Sequence, residues 1–261
     1  MLYPRIIPCL LVKNKGLVKT VNFKNPKYVG DPINAVKIFN EKEVDELMVI
    51  DIDTTIENRE PDYKMIKNLA TECRMPFCYG GGIKTIEQVE KIITMGVEKV
   101  AISSIALENP SFVTEIAKQL GNQSVVVVLD VKKNLANNQY EIITHNGQKK
   151  TGKCPIEFSQ QLEKLGAGEI VINSIDNDGI MKGYDLVLAE KIIKSVNVPI
   201  TILGGVGSLK DIKELINKFG VIGVAAGSLF VFKGVYKAVL INYPNRSEKN
   251  ILCAKTKNNN N

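Results

Sequence analysis

Runs of consecutive apolar, β-branched residues recur along the chain, and most of them are separated by segments with helical periodicity. The eight runs are RIIPCLLV, ELMVIDI, MPFCYG, KVAISS, SVVVVLD, EIVINSI, VPITILGG and VIGVAAG. Continuous rather than alternating apolar runs are typical of strands in a parallel sheet that is buried on both faces. The pattern therefore predicts eight parallel strands connected by helices.

The segments between the runs carry signals for the ends of helices. Asp31-Pro32 and Asn109-Pro110 each place a capping residue before a proline at the first helical position, Thr85 and Gln88 form a capping box, and Ser208 opens a further helical segment. Glycines that favour a left-handed C-terminal cap follow four segments: Gly96, Gly121, Gly166 and Gly220. Eight such units in about 250 residues predict an α/β protein with a (β/α)8 TIM barrel. A doubly wound open sheet is the alternative, although no GxGxxG follows the first strand.

The two halves of the chain repeat each other. ELMVIDIDTT matches EIVINSIDND, and PFCYGGGIKTIEQVEKIITMGVEKVAISS matches PITILGGVGSLKDIKELINKFGVIGVAAGS. The barrel is therefore predicted to consist of two fused half-barrels, and superposing RIIPCLLVKNKG on SVVVVLDVKKN places Leu11 opposite Asp130. We expect one barrel domain over residues 1–245 and a C-terminal extension over residues 246–261, with a disordered, low-complexity end.

Composition and charge narrow the possible functions. The net charge is +6, but the lysines are scattered and form no basic stripe interleaved with aromatic residues, so we expect no nucleic-acid partner. No apolar run reaches the ~18 residues that a membrane helix needs, and no signal peptide is evident, so we expect a cytoplasmic protein without a membrane partner. The five cysteines have no zinc-type spacing, and the single histidine, His145, lies in a polar turn that we expect on the surface. We therefore predict neither a metal nor another cofactor.

The chemistry of a (β/α)8 barrel lies at the C-terminal ends of its strands. Glycines there allow backbone N–H groups to approach an anion, and two such loops are related by the repeat. They predict binding of a phosphorylated small molecule, although tight turns alone would also explain the glycines. The predicted phosphate-binding residues are Gly81, Gly82, Ser104, Gly179, Gly205, Gly227 and Ser228. Asp130 ends the fifth apolar run and is a candidate general acid or base, a role that usually requires a second group.

The stretches RIIPCLLVKNKGLVKTVNF, PFCYGGGI, VVVVLDVKK, GAGEIVINSIDNDGIMKGYD and LGGVGS resemble the HisF family, the cyclase subunits of imidazole glycerol phosphate synthase. The resemblance covers residues 1 to about 240 and implies a barrel of two halves. It also implies that ammonia from a class I glutamine amidotransferase partner of the HisH type crosses the barrel core to a lyase/cyclase reaction. It places the second catalytic aspartate at Asp130 and the active-site lysine at Lys19. The charged ring that gates the ammonia channel matches four residues: Arg5, Glu46, Lys99 and Glu169.

The chain departs from that family pattern at three positions. The first catalytic aspartate is replaced by Leu11, a threonine by Asn173, and a serine by Leu203. The first-strand motif and GSLFVFKGVYKAVLINYP resemble HisF-like paralogues of surface-polysaccharide, O-antigen gene clusters, in which an N-acetyl sugar amidotransferase makes an acetamidino sugar. The main hypothesis is therefore a barrel subunit that channels ammonia to such an amidation. The alternatives are the cyclase of histidine biosynthesis, with Leu11 compensated by Asp176 or Lys19, and a non-enzymatic scaffold that activates the glutaminase.

Overall fold

The computed structural model of the chain describes residues 3–254, and its strands and helices alternate along most of that length. In chain order the strands are β1 (Arg5–Lys13), β2 (Gly16–Val21), β3 (Lys24–Gly30), β4 (Leu47–Asp51), β5 (Phe77–Gly80), β6 (Lys99–Ile102), β7 (Val125–Asn134), β8 (Gln139–Thr144), β9 (Lys149–Lys150), β10 (Glu169–Ser174), β11 (Ile200–Leu203), β12 (Gly223–Ala226), β13 (Phe232–Lys233) and β14 (Ala238–Val239). The α-helices are α1 (Pro32–Glu41), α2 (Tyr63–Glu72), α3 (Ile86–Thr94), α4 (Ser104–Glu108), α5 (Ser111–Leu120), α6 (Pro155–Leu165), α7 (Leu186–Ile193), α8 (Leu209–Phe219), α9 (Ser228–Val231) and α10 (Arg246–Cys253), with a 3-10 turn at Asn122–Ser124.

The eight predicted strands close into a parallel barrel. Their order around the barrel is β1, β4, β5, β6, β7, β10, β11 and β12, and β12 pairs again with β1. The two halves join where β6 pairs with β7 and where β12 pairs with β1. Within the second half, Asp130 of β7 and Asn173 of β10 are register partners. The (β/α)8 prediction is confirmed, and the open doubly wound sheet is excluded because the sheet has closed on itself.

In each half-barrel, the first barrel strand is followed by two antiparallel strands that the apolar pattern did not predict. Strands β2 and β3 fold back on β1, and β8 and β9 fold back on β7. The turn between β2 and β3 contains Asn22 and Phe23, and the turn between β8 and β9 contains His145, Asn146 and Gly147. A Cβ built on Gly147 would lie 3.3 Å from Cδ2 of Phe23, so these two turns meet above the barrel mouth.

The predicted helix starts are confirmed with one exception. The Asp31 carboxylate accepts a hydrogen bond from Asn34 N at 2.9 Å, and the capping box of Thr85 is present. Asn109 does not cap α5 as predicted, because Pro110 itself is the N-cap residue and already has helical backbone angles (φ −60°, ψ −26°). The Asn109 side chain instead accepts a hydrogen bond from the Ser111 hydroxyl at 2.6 Å.

Two apolar clusters fill the fold. The larger one lies between the barrel strands and the surrounding helices. The smaller one fills the barrel interior, and its buried members are Ile7, Cys9, Met48, Cys78, Ala101, Val126, Val171 and Ala225. Leu11, Ile50, Val128 and Leu203 pack on this inner cluster. The interior is therefore apolar between the two ends of the barrel, and several of its side chains are small.

The last helix packs on the barrel although it follows residue 245. Leu252 of α10 is buried in the outer cluster, and Lys249 forms an ion pair with Asp45 at 2.9 Å. Tyr243, just before the helix, donates a hydrogen bond to Ile6 O at 2.9 Å. The domain boundary at residue 245 stays a prediction, and residues 255–261, where we expect disorder, lie outside the described residues.

Candidate functional site

A cavity of about 490 Å³ opens at the C-terminal ends of the barrel strands. It extends from the turns above the mouth down to Cys9, Met48 and Ala101 of the inner cluster. Ten of the predicted site residues line it: Leu11, Lys19, Gly81, Gly82, Ser104, Asp130, Gly179, Gly205, Gly227 and Ser228. The structure thus brings together every residue predicted for catalysis or phosphate binding, and their roles stay predictions.

Lys19 of β2 lies inside the protein rather than in solvent. Its Nζ donates a hydrogen bond to Cys9 O at 2.8 Å, and the residue is 6% exposed. A Cβ built on Gly227 would lie 2.5 Å from that Nζ, so the absence of a side chain at residue 227 makes room for the lysine. Burial lowers the pKa of Lys19, against the opposing effect of Cys9 and Asp178. The lysine is therefore easier to deprotonate than a solvated one.

Asp130 extends into the cavity from β7, next to its register partner. Asn173 Nδ2 donates a hydrogen bond to Oδ1 of Asp130 at 2.9 Å. Burial raises the pKa of Asp130 to about 7, the hydrogen bond from Asn173 opposes that rise, and the nearby Asp178 adds to it. A carboxyl group with a pKa near neutral can both accept and release a proton at physiological pH, which suits general acid–base chemistry.

Asp178, in the loop after β10, is a cavity residue to which the sequence analysis assigned no role. Its carboxylate accepts a hydrogen bond from Thr20 Oγ1 at 2.8 Å, and burial raises its pKa despite this bond and the charge of Lys19. Asp176, which we considered as a replacement for the missing aspartate, instead accepts a hydrogen bond from Lys133 N at 2.8 Å and does not line the cavity. The sequence offered only the pair of aspartates in SIDNDG, and it gave no means of deciding which of them lies in the cavity.

Leu11 occupies the position in β1 that corresponds to Asp130 in β7. Its side chain packs on the inner cluster together with Leu203 of β11. A leucine can neither accept nor release a proton, and its neighbours in this layer are also apolar. The cavity therefore has one of the two carboxyl groups that the repeat would place at its floor.

Two glycine loops face each other across the mouth. We define the first glycine loop as Gly81, Gly82 and Ser104, and the second glycine loop as Gly205, Gly227 and Ser228. Gly82 has a φ of +71°, and a Cβ there would lie 2.2 Å from Cγ2 of Thr54. Helices α4 and α9 start at Ser104 and Ser228 without a side-chain cap, so their first N–H groups can bind another acceptor.

The four charged residues at the opposite end of the barrel form a closed ring, which we call the basal ring. The Arg5 guanidinium pairs with Glu46 and, at 2.9 Å, with Glu169. The Lys99 ammonium pairs with Glu46 at 2.8 Å and with Glu169 at 3.0 Å, so charges alternate around the ring. Burial would raise the pKa of Glu169, but Arg5 and Lys99 outweigh it and hold this pKa below its usual value. The ring therefore stabilises the charged form of Glu169.

His145 is not the surface residue that its polar sequence context suggested. It is half-buried in the turn between β8 and β9 and lines the cavity together with Asn146 and Glu108. The hairpin β8–β9 accounts for the difference, because it folds back over the mouth instead of extending into solvent. Sequence reasoning missed this placement because it did not predict the hairpin.

Residues 3–254 offer neither a metal site nor a membrane span. That range contains no group of three or more histidine, cysteine, aspartate and glutamate side chains arranged to hold a metal ion. It also contains no helix whose length and apolar character would let it cross a bilayer.

Comparisons with known proteins agree on one family. The family model described as histidine biosynthesis protein matches residues 5–237. A protein of Vibrio vulnificus (strain YJ016), provisionally named as subunit hisF3 of imidazole glycerol phosphate synthase, is 58% identical over 95% of this chain and 96% of its own length. A Leptospira interrogans protein, provisionally named as subunit HisF of that synthase, is 57% identical over 97% of this chain and 99% of its own length. Subunit HisF of imidazole glycerol phosphate synthase from Sulfurisphaera tokodaii (strain DSM 16993 / JCM 10545 / NBRC 100140 / 7) is 42% identical over 85% of this chain and 88% of its own length.

Proposed function

The chain belongs to the histidine biosynthesis protein family as a HisF-like barrel, and on that premise we propose that it receives ammonia from a glutaminase and channels it to the amidation of an N-acetyl sugar. The observation that carries this proposal is the contrast between the two ends of the barrel. The basal ring is complete, whereas Leu11 leaves the acid–base pair at the mouth incomplete. A barrel of this kind is suited to passing a small neutral molecule and poorly suited to a cyclisation that needs two proton-transfer groups.

The route between the two ends has the chemistry that ammonia requires. Above the basal ring lie the buried residues of the inner cluster, including the small side chains Cys9, Cys78, Ala101 and Ala225. The cavity then begins at Cys9 and Ala101. An apolar interior disfavours ions and ordered water, since neither finds hydrogen-bond partners there. Neutral ammonia loses less hydration free energy than an ion does when it enters such an interior. Local motion of the small side chains would let it pass.

The base of the barrel also offers a surface for the glutaminase. Tyr3 and Val221 precede β1 and β12 and are 65% and 59% exposed. Arg5 of the basal ring donates its backbone N–H to Ile222 O at 3.1 Å, so these apolar residues lie beside the ring. Exposed apolar side chains around a polar centre are common at protein–protein interfaces. A glutaminase docked here would release ammonia directly at the ring.

The test is a coupling assay with the reconstituted glutaminase complex and the sugar acceptor system. For wild type we expect most of the ammonia from glutamine to appear in amidated product. In Lys99→Ala, the basal ring loses one cation, and we expect ammonia to escape to solvent while the barrel stays folded. Lys118→Ala, on the exposed face of α5, is the matched control. Unchanged coupling in a folded Lys99→Ala complex would mean that the ring is a structural plug, and absence of transfer by wild type would leave the scaffold hypothesis.

A second candidate function, the cyclase of histidine biosynthesis, is favoured by one observation. Asp178 and Lys19 line the same cavity as Asp130, and burial raises the pKa of the carboxyl group and lowers that of the amine. They could supply the proton transfers that Leu11 cannot. Purified barrel with excess ammonium salt and the histidine-pathway intermediate decides the matter, because this assay needs no glutaminase.

A further inference from the structure

The chain has a single histidine, His145, and the structure places it in the cavity wall. Its Nε2 lies 4.0 Å from Glu108 of α4, the short helix that begins at Ser104 of the first glycine loop. The cavity residues on that side come from the loops after β4, β5 and β6, which include Gly82 and Ser104. Histidine is the side chain whose charge changes near neutral pH. Its position therefore puts a switchable charge at one side of the mouth.

The hydrogen bonds of His145 determine which ring nitrogen titrates. Nδ1 lies 3.1 Å from Thr144 Oγ1, and that hydroxyl donates its own proton to Lys149 O at 3.4 Å. The hydroxyl oxygen can then only accept, so the neutral imidazole carries its proton on Nδ1. Nε2 is left as the atom that gains a proton and becomes a second donor.

Few charged groups contact His145. Glu108 of α4 approaches Nε2 at 4.0 Å and also pairs with Lys149 of β9 at 3.6 Å. The turn between β2 and β3, on the opposite side, contributes the uncharged ring of Phe23 against Gly147. The other charged residues that line the cavity are Lys19, Asp51, Lys84, Asp130 and Asp178. Glu108 is half-exposed and shared with Lys149, so it does not fully neutralise a protonated His145.

The second glycine loop has no titratable counterpart of this histidine. The repeat relates the β8–β9 hairpin to the β2–β3 hairpin, whose turn carries Asn22 and Phe23. The Asn22 amide already donates hydrogen bonds to Ile175 O at 2.9 Å and Asp176 O at 2.7 Å. The two loops therefore differ in the titratable group beside them: the first has a histidine, and the second has the buried Lys19, whose Nζ lies 2.5 Å from a Cβ built on Gly227.

We propose that His145 is a ligand-binding residue of the first glycine loop, where its protonated Nε2 donates to a dianionic phosphoryl group held over Gly82 and Ser104. The inference rests on the proposed function in assuming a phosphorylated ligand at the mouth. It makes the two phosphate sites unequal, since the affinity of the first one for a dianion falls as His145 loses its proton, and the second one has no histidine. The ligand class is a phosphate monoester, whose dianion coexists with a protonated imidazole near neutral pH.

Sulfate is the probe, because it stays a dianion across the pH range of the experiment. Since the untagged chain contains one histidine, its ring resonances in a ¹H–¹³C NMR spectrum need no assignment. We expect sulfate to raise the titration midpoint of His145 by about one pH unit, which corresponds to an affinity about tenfold weaker at high pH. An unchanged midpoint at a sulfate concentration that saturates the protein would overturn the proposal, as would a lack of sulfate binding at low pH.

Three variants test whether His145, rather than a neighbouring residue, is responsible for the pH-dependent response to sulfate. His145→Asn keeps a residue that tolerates the local φ of +52° and should abolish the pH dependence of sulfate affinity at the first site. Glu108→Gln should keep the sulfate-dependent rise of the midpoint, and loss of that rise would mean that the glutamate, not the anion, controls His145. Ser228→Ala weakens the second site only and should leave the histidine response intact. Ammonia coupling is measured without sulfate, so failure of this inference is distinguishable from failure of the proposed function.

Discussion

The proton affinity of Asp130 makes part of the stability of the fold depend on pH. Burial raises its pKa from 3.8 to about 7, so the folded state holds this proton more tightly than the unfolded chain does. The stability associated with Asp130 is therefore fully present below about pH 4 and is lost as the pH rises through 7. Above that value the loss is complete and stability no longer depends on this group.

The size of the stability loss follows from the difference between the pKa of Asp130 in the folded state and its pKa in the unfolded chain. About three pH units, at about 1.4 kcal/mol per unit, correspond to a loss on the order of 4 kcal/mol. Asp130→Asn removes the charge and keeps an acceptor for Asn173 Nδ2, so its stability should not fall with pH in this way. Relative to wild type, the variant should gain stability progressively between about pH 4 and pH 7.

Urea unfolding at a series of pH values measures this difference. Asp130→Leu is a matched variant, since it also removes the carboxylate and repeats the residue found at Leu11. The two variants should differ from each other by a constant amount and share the same pH dependence relative to wild type. A difference from wild type that is flat between pH 4 and pH 8 would refute the reasoning, because it would show that Asp130 titrates in the folded state as it does in solvent.

Three further outcomes follow from the mouth of the barrel. Wild type should show negligible cyclase turnover with ammonium salt, and Leu11→Asp should raise the rate about a hundredfold or more, because it supplies the second proton-transfer group; steady-state assays of both proteins check this. Gly227→Ala should displace Lys19, since its Cβ would lie 2.5 Å from Nζ, and the lysine should then titrate closer to its solvated value in ¹⁵N NMR. Gly82→Ala should destabilise the fold by about 1–3 kcal/mol in urea unfolding, since it combines a φ of +71° with a contact of 2.2 Å to Thr54; an unchanged midpoint would mean that the loop rearranges freely.

The sequence by itself determined the features that depend on local pattern. Eight apolar runs predicted the eight barrel strands, because a strand buried on both faces needs apolar residues at every position. Asp31 and Thr85 marked helix starts through hydrogen bonds that span three residues, and the repeat predicted two glycine loops at one face of the barrel. Leu11 could be recognised as a departure from the internal repeat because the corresponding position of the second half-barrel is occupied by Asp130.

Only the tertiary structure decided the features that depend on distant parts of the chain. The basal ring closes because strands far apart in sequence bring Arg5, Glu46, Lys99 and Glu169 within ion-pair distance. The pKa of Asp130 follows from burial, which no sequence window reports. His145 reached the cavity through a hairpin whose short, polar β9 gives no apolar signal. Asp178 rather than Asp176 entered the site because its carboxylate accepts hydrogen bonds from Thr20 of β2 and from the Phe23 N–H in the turn that follows. Local propensity acts over a few residues, whereas charge, burial and proton affinity depend on all neighbours in space.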